Sequence, residues 1–320
     1  MSALIFPDAS VFTDAAISLD TRALNTSIVD KLTSLPDPWT FPPAVIRERR
    51  ARGLGPFPLA PKSPRAETIT IKGPGGNVGL RMIAPRGQPR GIYLHIHGGG
   101  WTLGGADQQD PQLERIADYA GFVCLSVDYR LAPEHPHPAG PDDCEAAALW
   151  LVRDGIRRFG TNRLAIGGES AGAHLSVVTM CRLRDRHGLR PFRGANLVAG
   201  CYDLALTPSA ANWGSEKLVL NTRDIRMFVR CFLANGGGLL DPDISPLRAN
   251  LAGLPPALFT VGTRDPLIDD TLFLAAHWAA AGHRAELAVY PGGCHAFTYF
   301  ASDMTEDSLA RSESFLAGLG

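Results

Sequence analysis

Apolar residues gather in short continuous runs that recur through most of the chain, separated by longer stretches of mixed character. The runs near Gly91–His97, Val123–Asp128, Leu164–Gly168, Ala195–Cys201, Ala257–Gly262 and Ala285–Tyr290 read as strands. Continuous rather than alternating hydrophobicity fits strands covered on both faces. The stretches between them have helical length, and one runs over Thr271–Ala281. Strand–helix alternation predicts an α/β fold with a mostly parallel sheet and helices on both faces. Ahead of it, Glu67–Lys72 and Val78–Ile83 are joined by Gly73-Pro74-Gly75-Gly76, a hairpin turn whose glycines permit positive φ.

Two regions fall outside this rhythm. Residues 1–62 carry helical patterns at Ala23–Leu35 and Ala44–Arg52, separated and followed by prolines. Arg47, Arg49, Arg50 and Arg52 read as a solvated face of the second helix. Residues 204–240 lie between the strand ending at Cys201 and Ser245-Pro246-Leu247. That is too long for a simple connection, so an insertion is expected within a sheet domain spanning 63–320.

At 320 residues the chain can bury one large core, and a formal net charge of −1 gives no reason to expect nucleic acid or an anionic membrane as partner. Cys124, Cys144, Cys181, Cys201, Cys231 and Cys294 show no CxxC spacing and read as buried free thiols of a reducing compartment. Met1–Asp8 lacks the basic start of a signal peptide, and no apolar run approaches a membrane span. A cytoplasmic location is therefore expected.

The chemistry centres on Gly168-Glu169-Ser170-Ala171-Gly172, which ends one apolar run and opens a small-residue helix. A G-x-S-x-G in that position makes a sharp turn that leaves the hydroxyl above the sheet, at a helix N-terminus. His97-Gly98-Gly99-Gly100-Trp101 ends another run. Consecutive glycines are conformationally costly and make sense where backbone N–H groups must approach a developing oxyanion. Trp101, just after the loop, is a candidate pocket residue. His95 and His97 share a strand face and mimic a metal pair, but no Cys, Asp or Glu lies nearby in sequence, so no metal is expected; His97 instead braces the loop through its ring nitrogens.

A serine nucleophile needs a base and an orienting acid. Chain order in hydrolases of this architecture places the base last, and His295 lies on a turn after the last apolar run. His174 is one turn into the elbow helix and should point into the fold. His277 and His283 flank a helix and read as surface and helix-end residues. Asp265 stands at a strand's C-terminal end, while Asp269 and Asp270 suit helix capping.

The blocks His97–Trp101, Asp128–Glu134, Gly168–Gly172, Asp265–Leu267 and Cys294–Phe297, in that order, resemble the hormone-sensitive-lipase-like carboxylesterases of the α/β-hydrolase fold. The likeness runs from about residue 65 to the end. It implies Ser170, Asp265 and His295 as the catalytic residues and the N–H groups of Gly98, Gly99 and Ala171 as the oxyanion hole. It also implies a small-molecule ester substrate, no cofactor, and a helical cap formed by residues 1–62 and 204–240. Trp213, in the inserted segment, becomes a second pocket candidate. A homodimer is left open. Glu169 and Ala296 stand where relatives often carry Asp or Thr and Gly. Amide hydrolysis and acyl transfer use the same intermediate and are the nearer rivals. The plant gibberellin receptor, a non-catalytic binder similar to this family, has lost the histidine that His295 supplies here.

Overall fold

The computed structural model describes residues 7–320; the leader reading of Met1–Phe6 lies outside them. Among them eight strands form one sheet: β1 (Glu67–Gly73), β2 (Gly76–Ile83), β3 (Gly91–Ile96), β4 (Phe122–Asp128), β5 (Leu164–Glu169), β6 (Phe192–Val198), β7 (Ala257–Arg264) and β8 (Ala285–Cys294). Their order is β1-β2-β4-β3-β5-β6-β7-β8. The hairpin β1–β2 and the β2–β4 pair are antiparallel, and every other neighbour is parallel.

Among the described residues ten α-helices accompany the sheet: α1 (Leu19–Ser34), α2 (Pro43–Ala51), α3 (Asp110–Ala120), α4 (Ala139–Trp150), α5 (Ile156–Phe159), α6 (Ala171–His187), α7 (Pro208–Asn212), α8 (Thr222–Phe232), α9 (Ile268–Ala280) and α10 (Asp303–Ala317). All of β3 is buried, yet its side chains still divide by the period of two. Ile92, Leu94 and Ile96 join the core formed with α4, α6 and α9, whereas Tyr93 packs with α3 and α10.

Boundaries moved where a local polar group decides them. α1 begins at Leu19 rather than Ala23, because the Ser18 hydroxyl accepts the Thr21 N–H at 3.1 Å. β6 ends at Val198 rather than Cys201, because Ala199, with φ 45°, turns the chain out of the sheet. In the hairpin turn only Gly76 takes positive φ, at 126°.

The N-terminal segment and the inserted region meet each other and the sheet's C-terminal end. Trp39 Nε1–H donates to Asp224 at 2.6 Å, Asp37 pairs with Arg223 at 2.5 Å, and the Trp39 and Phe228 rings lie 4.9 Å apart. Arg47 donates to the Thr102 carbonyl at 2.9 Å and pairs with Glu134. The solvated-face reading therefore holds for exposed Arg49 and Arg52 but not for half-buried Arg47 and Arg50. No helix among the described residues is long and apolar enough to cross a membrane.

Candidate active site

The serine turn is built by backbone crowding. Gly168 is the next-to-last residue of β5 and Gly172 the second of α6, and a methyl group on either would overlap the Ile96 carbonyl of neighbouring β3. Ser170 between them is forced to φ 55°, ψ −119°, while its N–H is fixed by the Val198 carbonyl at 2.8 Å. Such a conformation persists only where the surroundings over-determine it. The hydroxyl then stands at the N-terminus of a 17-residue helix.

His295 comes from the turn after β8 and Asp265 from the residue after β7. His295 Nε2 lies 3.0 Å from Ser170 Oγ, and Nδ1 lies 2.9 and 3.1 Å from the Asp265 oxygens. An ionised carboxylate can only accept, so Nδ1 carries the proton and Nε2 is left to accept from the serine hydroxyl. Asp265 is wholly buried and takes the Leu267 N–H at 2.9 Å, which fixes its orientation. A hydroxyl, imidazole and carboxylate so linked can deliver an alkoxide to a carbonyl carbon.

The glycine loop lies against the same turn. A methyl on Gly98 would come within 2.8 Å of the Glu169 carbonyl and 3.5 Å of Ser170 Cβ. Gly99 has φ 113°, and its carbonyl accepts from Leu103 N–H at 2.8 Å, curling the loop back on itself. The N–H groups of Gly98, Gly99 and Ala171 find no carbonyl acceptor among the described residues. His97 braces the loop with one nitrogen rather than two. Its Nδ1–H donates to the Gly98 carbonyl at 2.8 Å, its ring stacks on Tyr129 at 4.2 Å, and Nε2 is buried without a partner. Burial lowers its pKa to about 4, so it is neutral at pH 7.

His174 points inward, as its position on α6 implies. Its Nδ1 accepts the Trp101 Nε1–H at 3.1 Å, and its Nε2–H donates to the Ile244 carbonyl at 2.8 Å. Trp101 is thus 3 % exposed and stacked 4.7 Å from Phe232. The expectation that it lines a pocket is not met; it ties the glycine loop to the elbow helix and the inserted region. Trp213 is half-buried, 5.8 Å from the Arg264 guanidinium, and packs on the cluster that includes Ile28, Leu218 and Tyr290.

Three features escaped sequence reasoning. His95 Nε2 lies 3.1 Å from the Glu169 carboxylate and Nδ1 lies 2.9 Å from Ser126 Oγ. Sequence proximity had found no acid near His95, but parallel pairing of His95 with Gly167 brings Glu169 to the same face two residues on. Asp269 and Asp270 do more than cap α9. Asp269 takes the Ser209 N–H at 2.8 Å, across on α7. Buried Asp270 accepts the N–H groups of Tyr202 and Asp203 and the Thr207 hydroxyl, and burial pushes its pKa up to about 7. His277 and His283 bond the carbonyls of Leu247 and Leu251, pinning α9 to that segment.

The fold and the strained serine turn together define an α/β hydrolase, and a family model described as alpha/beta hydrolase fold matches residues 93–299. The chain belongs to that family, in its hormone-sensitive-lipase-like branch. It is 35 % identical over 216 residues to carboxylesterase NlhH of Mycobacterium tuberculosis, covering 66 % of this chain and 67 % of that protein. Esterase LipI of the same organism is 35 % identical over 257 residues, covering 76 % and 79 %. The solved hyperthermophilic esterase from Pyrobaculum calidifontis superposes with a TM-score of 0.83 at 30 % identity, covering 94 % of this chain and 98 % of that one.

Proposed function

We propose that this protein is a carboxylic ester hydrolase acting through an acyl-enzyme on Ser170. Ser170 Oγ attacks the ester carbonyl while His295 Nε2 takes its proton, and Asp265 holds the imidazole tautomer and steadies the imidazolium. The N–H groups of Gly98, Gly99 and Ala171 receive the oxyanion. His295 returns the proton to the departing alcohol. It then takes a proton from water, which attacks the acyl carbon and releases the acid with Ser170 restored. The observation that carries this reading is the Ser170–His295–Asp265 chain, with links of 3.0 and 2.9 Å beside three unspent amides.

Residues 1–62 and the 204–240 insertion act as a cap, a reading supported by the Trp39–Asp224 and Arg47–Thr102 bonds. A capped site suits short to medium acyl esters dissolved in water. Trp213 stays the cap's aromatic candidate for contacting them. Six unpaired cysteines support a reducing, cytoplasmic setting. The test is turnover of p-nitrophenyl butyrate against the matched anilide, with and without added ethanol. Ester cleavage to free butyrate should dominate; preferential anilide cleavage or transfer to ethanol would assign the same residues to an amidase or acyltransferase.

A further inference from the structure

Two strands must meet correctly at the serine. Attack and charge development fall on one carbonyl group, so Ser170 Oγ and the oxyanion donors must keep a fixed separation. The Ala171 N–H travels with Ser170 on the same turn, but Gly98 and Gly99 follow β3. Ladder pairing between β3 and β5 ends at Ile96 and Gly168, short of both turns. Past that point the glycine loop rests on the elbow, where a methyl on Gly98 would meet the Glu169 carbonyl at 2.8 Å. A resting contact limits approach but does not stop the two turns from parting.

The Glu169 side chain supplies that tie. Its carboxylate oxygens lie 3.1 and 3.2 Å from His95 Nε2, and no other hydrogen bond reaches them among the described residues. His95 is fully buried on β3, and its Nδ1 lies 2.9 Å from Oγ of Ser126, its register partner on β4. An ionised carboxylate only accepts, so Nε2 carries the ring's proton and Nδ1 accepts the Ser126 hydroxyl. Ser126, His95 and Glu169 thus join β4, β3 and β5 in one line across the sheet. The line ends one residue before the serine and passes two residues before His97. The other four residues of the elbow are Gly, Ser, Ala and Gly, so none of them has a side chain that can reach across in its place. A largely buried carboxylate returns little net stability for its desolvation, and its use here lies in geometry.

We propose that Glu169 is a positioning residue for the oxyanion hole: through His95 it holds the Gly98 and Gly99 amides in reach of the carbonyl that Ser170 attacks. This rests on the ester-hydrolase reading above. Cutting the tie lets the glycine loop drift from the elbow while Ser170, His295 and Asp265 stay linked. The loss then falls on the transition state rather than on substrate binding, so kcat changes and KM does not. A scaffolding role alone would lower the fraction of folded sites and leave each remaining site at full rate.

The experiment measures p-nitrophenyl butyrate turnover per active serine, titrated to completion with a fluorophosphonate, for wild type, E169A, E169Q, H95F and E169A/H95F. Inhibition by butylboronic acid is measured alongside, because its serine adduct places an oxygen where the oxyanion forms. E169A should lose about 10²-fold in kcat per site with KM within about threefold of wild type. Its boronic-acid affinity should fall in proportion to kcat/KM. E169Q, whose amide oxygen still accepts from His95, should keep kcat within about fivefold. H95F should match E169A, and the double variant should be no worse than either, since the two residues act as one unit. Full kcat per site in E169A overturns the proposal, as do additive losses in the double variant. So does an E169Q as slow as E169A, which would assign the effect to charge rather than position. If H95F does not fold, the two Glu169 variants still decide. A wild type that neither hydrolyses p-nitrophenyl butyrate nor takes up the fluorophosphonate fails the ester-hydrolase reading instead.

Discussion

The sheet's C-terminal end and the helices that cover it are held together by different means. At the sheet end, backbone meets backbone: Gly168 and Gly172 close on the Ile96 carbonyl, Gly98 on the Glu169 carbonyl, and Gly99 on that of Leu103. In the covering region, single side chains reach across: Arg47 to Thr102, Trp39 to Asp224, Asp37 to Arg223. Backbone crowding tolerates no added atom and has almost no adjustable parts, so it fixes positions closely. Long side chains give up rotamer freedom for each bond and can let go one at a time. The chemistry needs the first kind of construction where a donor must meet an oxyanion. The second suits a covering that must admit a substrate and release two products.

The comparison breaks most visibly at Gly99. Ala at this position would meet both an unfavourable φ and the Leu103 carbonyl, so the loop must move and misplace an amide. We expect kcat to fall by roughly 10²–10³-fold with KM much less affected and the circular-dichroism spectrum preserved. Turnover within about threefold of wild type would show that the oxyanion donors lie elsewhere.

Acid should loosen the body before the covering region matters. His97 and His174 are both held near pKa 4 by burial, against about 6.5 in the unfolded chain. Between those values the unfolded chain takes up protons that the native protein refuses. Stability is therefore complete above about pH 6.5 and is lost as pH falls toward 4, by on the order of 3 kcal/mol for each histidine. Urea midpoints from pH 7 to 4.5 should show this slope, and H174Q should flatten it; an unchanged slope would mean His174 is not the titrating group.

Arg47→Ala removes a side-chain bridge rather than a backbone contact. Its pair with Glu134 is partly exposed, and the larger loss is the bond to Thr102. We expect a stability loss of about 1–2 kcal/mol and a change in KM that exceeds the change in kcat. An effect on kcat as large as that of Gly99→Ala would erase the distinction between the two regions.

The smallest effect concerns Ala296, whose φ of 57° lies in the left-handed region that favours Gly. Ala296→Gly should relieve that strain at the cost of a freer unfolded chain, leaving thermal stability within about 1 kcal/mol and kcat nearly unchanged. A loss beyond that would mean the Ala296 methyl makes a contact worth more than the strain.

The same contrast governs what could be read from the chain. Strands, the serine turn and the glycine loop were legible because buried strands and crowded backbones leave compositional marks: continuous apolar runs and glycines at fixed offsets. His295 and Asp265 were legible through chain order. The His95–Glu169 pair was not, because it joins β3 to β5 across 74 positions. The register of the sheet is needed to see it, although a charged residue inside a glycine elbow signals that a partner exists. Trp101 was misread because its indole N–H finds His174 only once α6 is packed beneath the loop. Arg47 and Arg50 were misread because a basic helical run looks the same whether its face meets water or another element.

The central claim is that Ser170 is the acyl-accepting nucleophile, driven by His295 and Asp265. The direct measurement treats the wild type, Ser170→Ala and His295→Ala with a fluorophosphonate and locates the adduct by peptide mass spectrometry. A single adduct on Ser170 is expected, lost in Ser170→Ala and strongly slowed in His295→Ala, with ester turnover down about 10⁴–10⁶-fold in both folded variants. An adduct on another residue, or near-normal turnover in Ser170→Ala, would contradict the account.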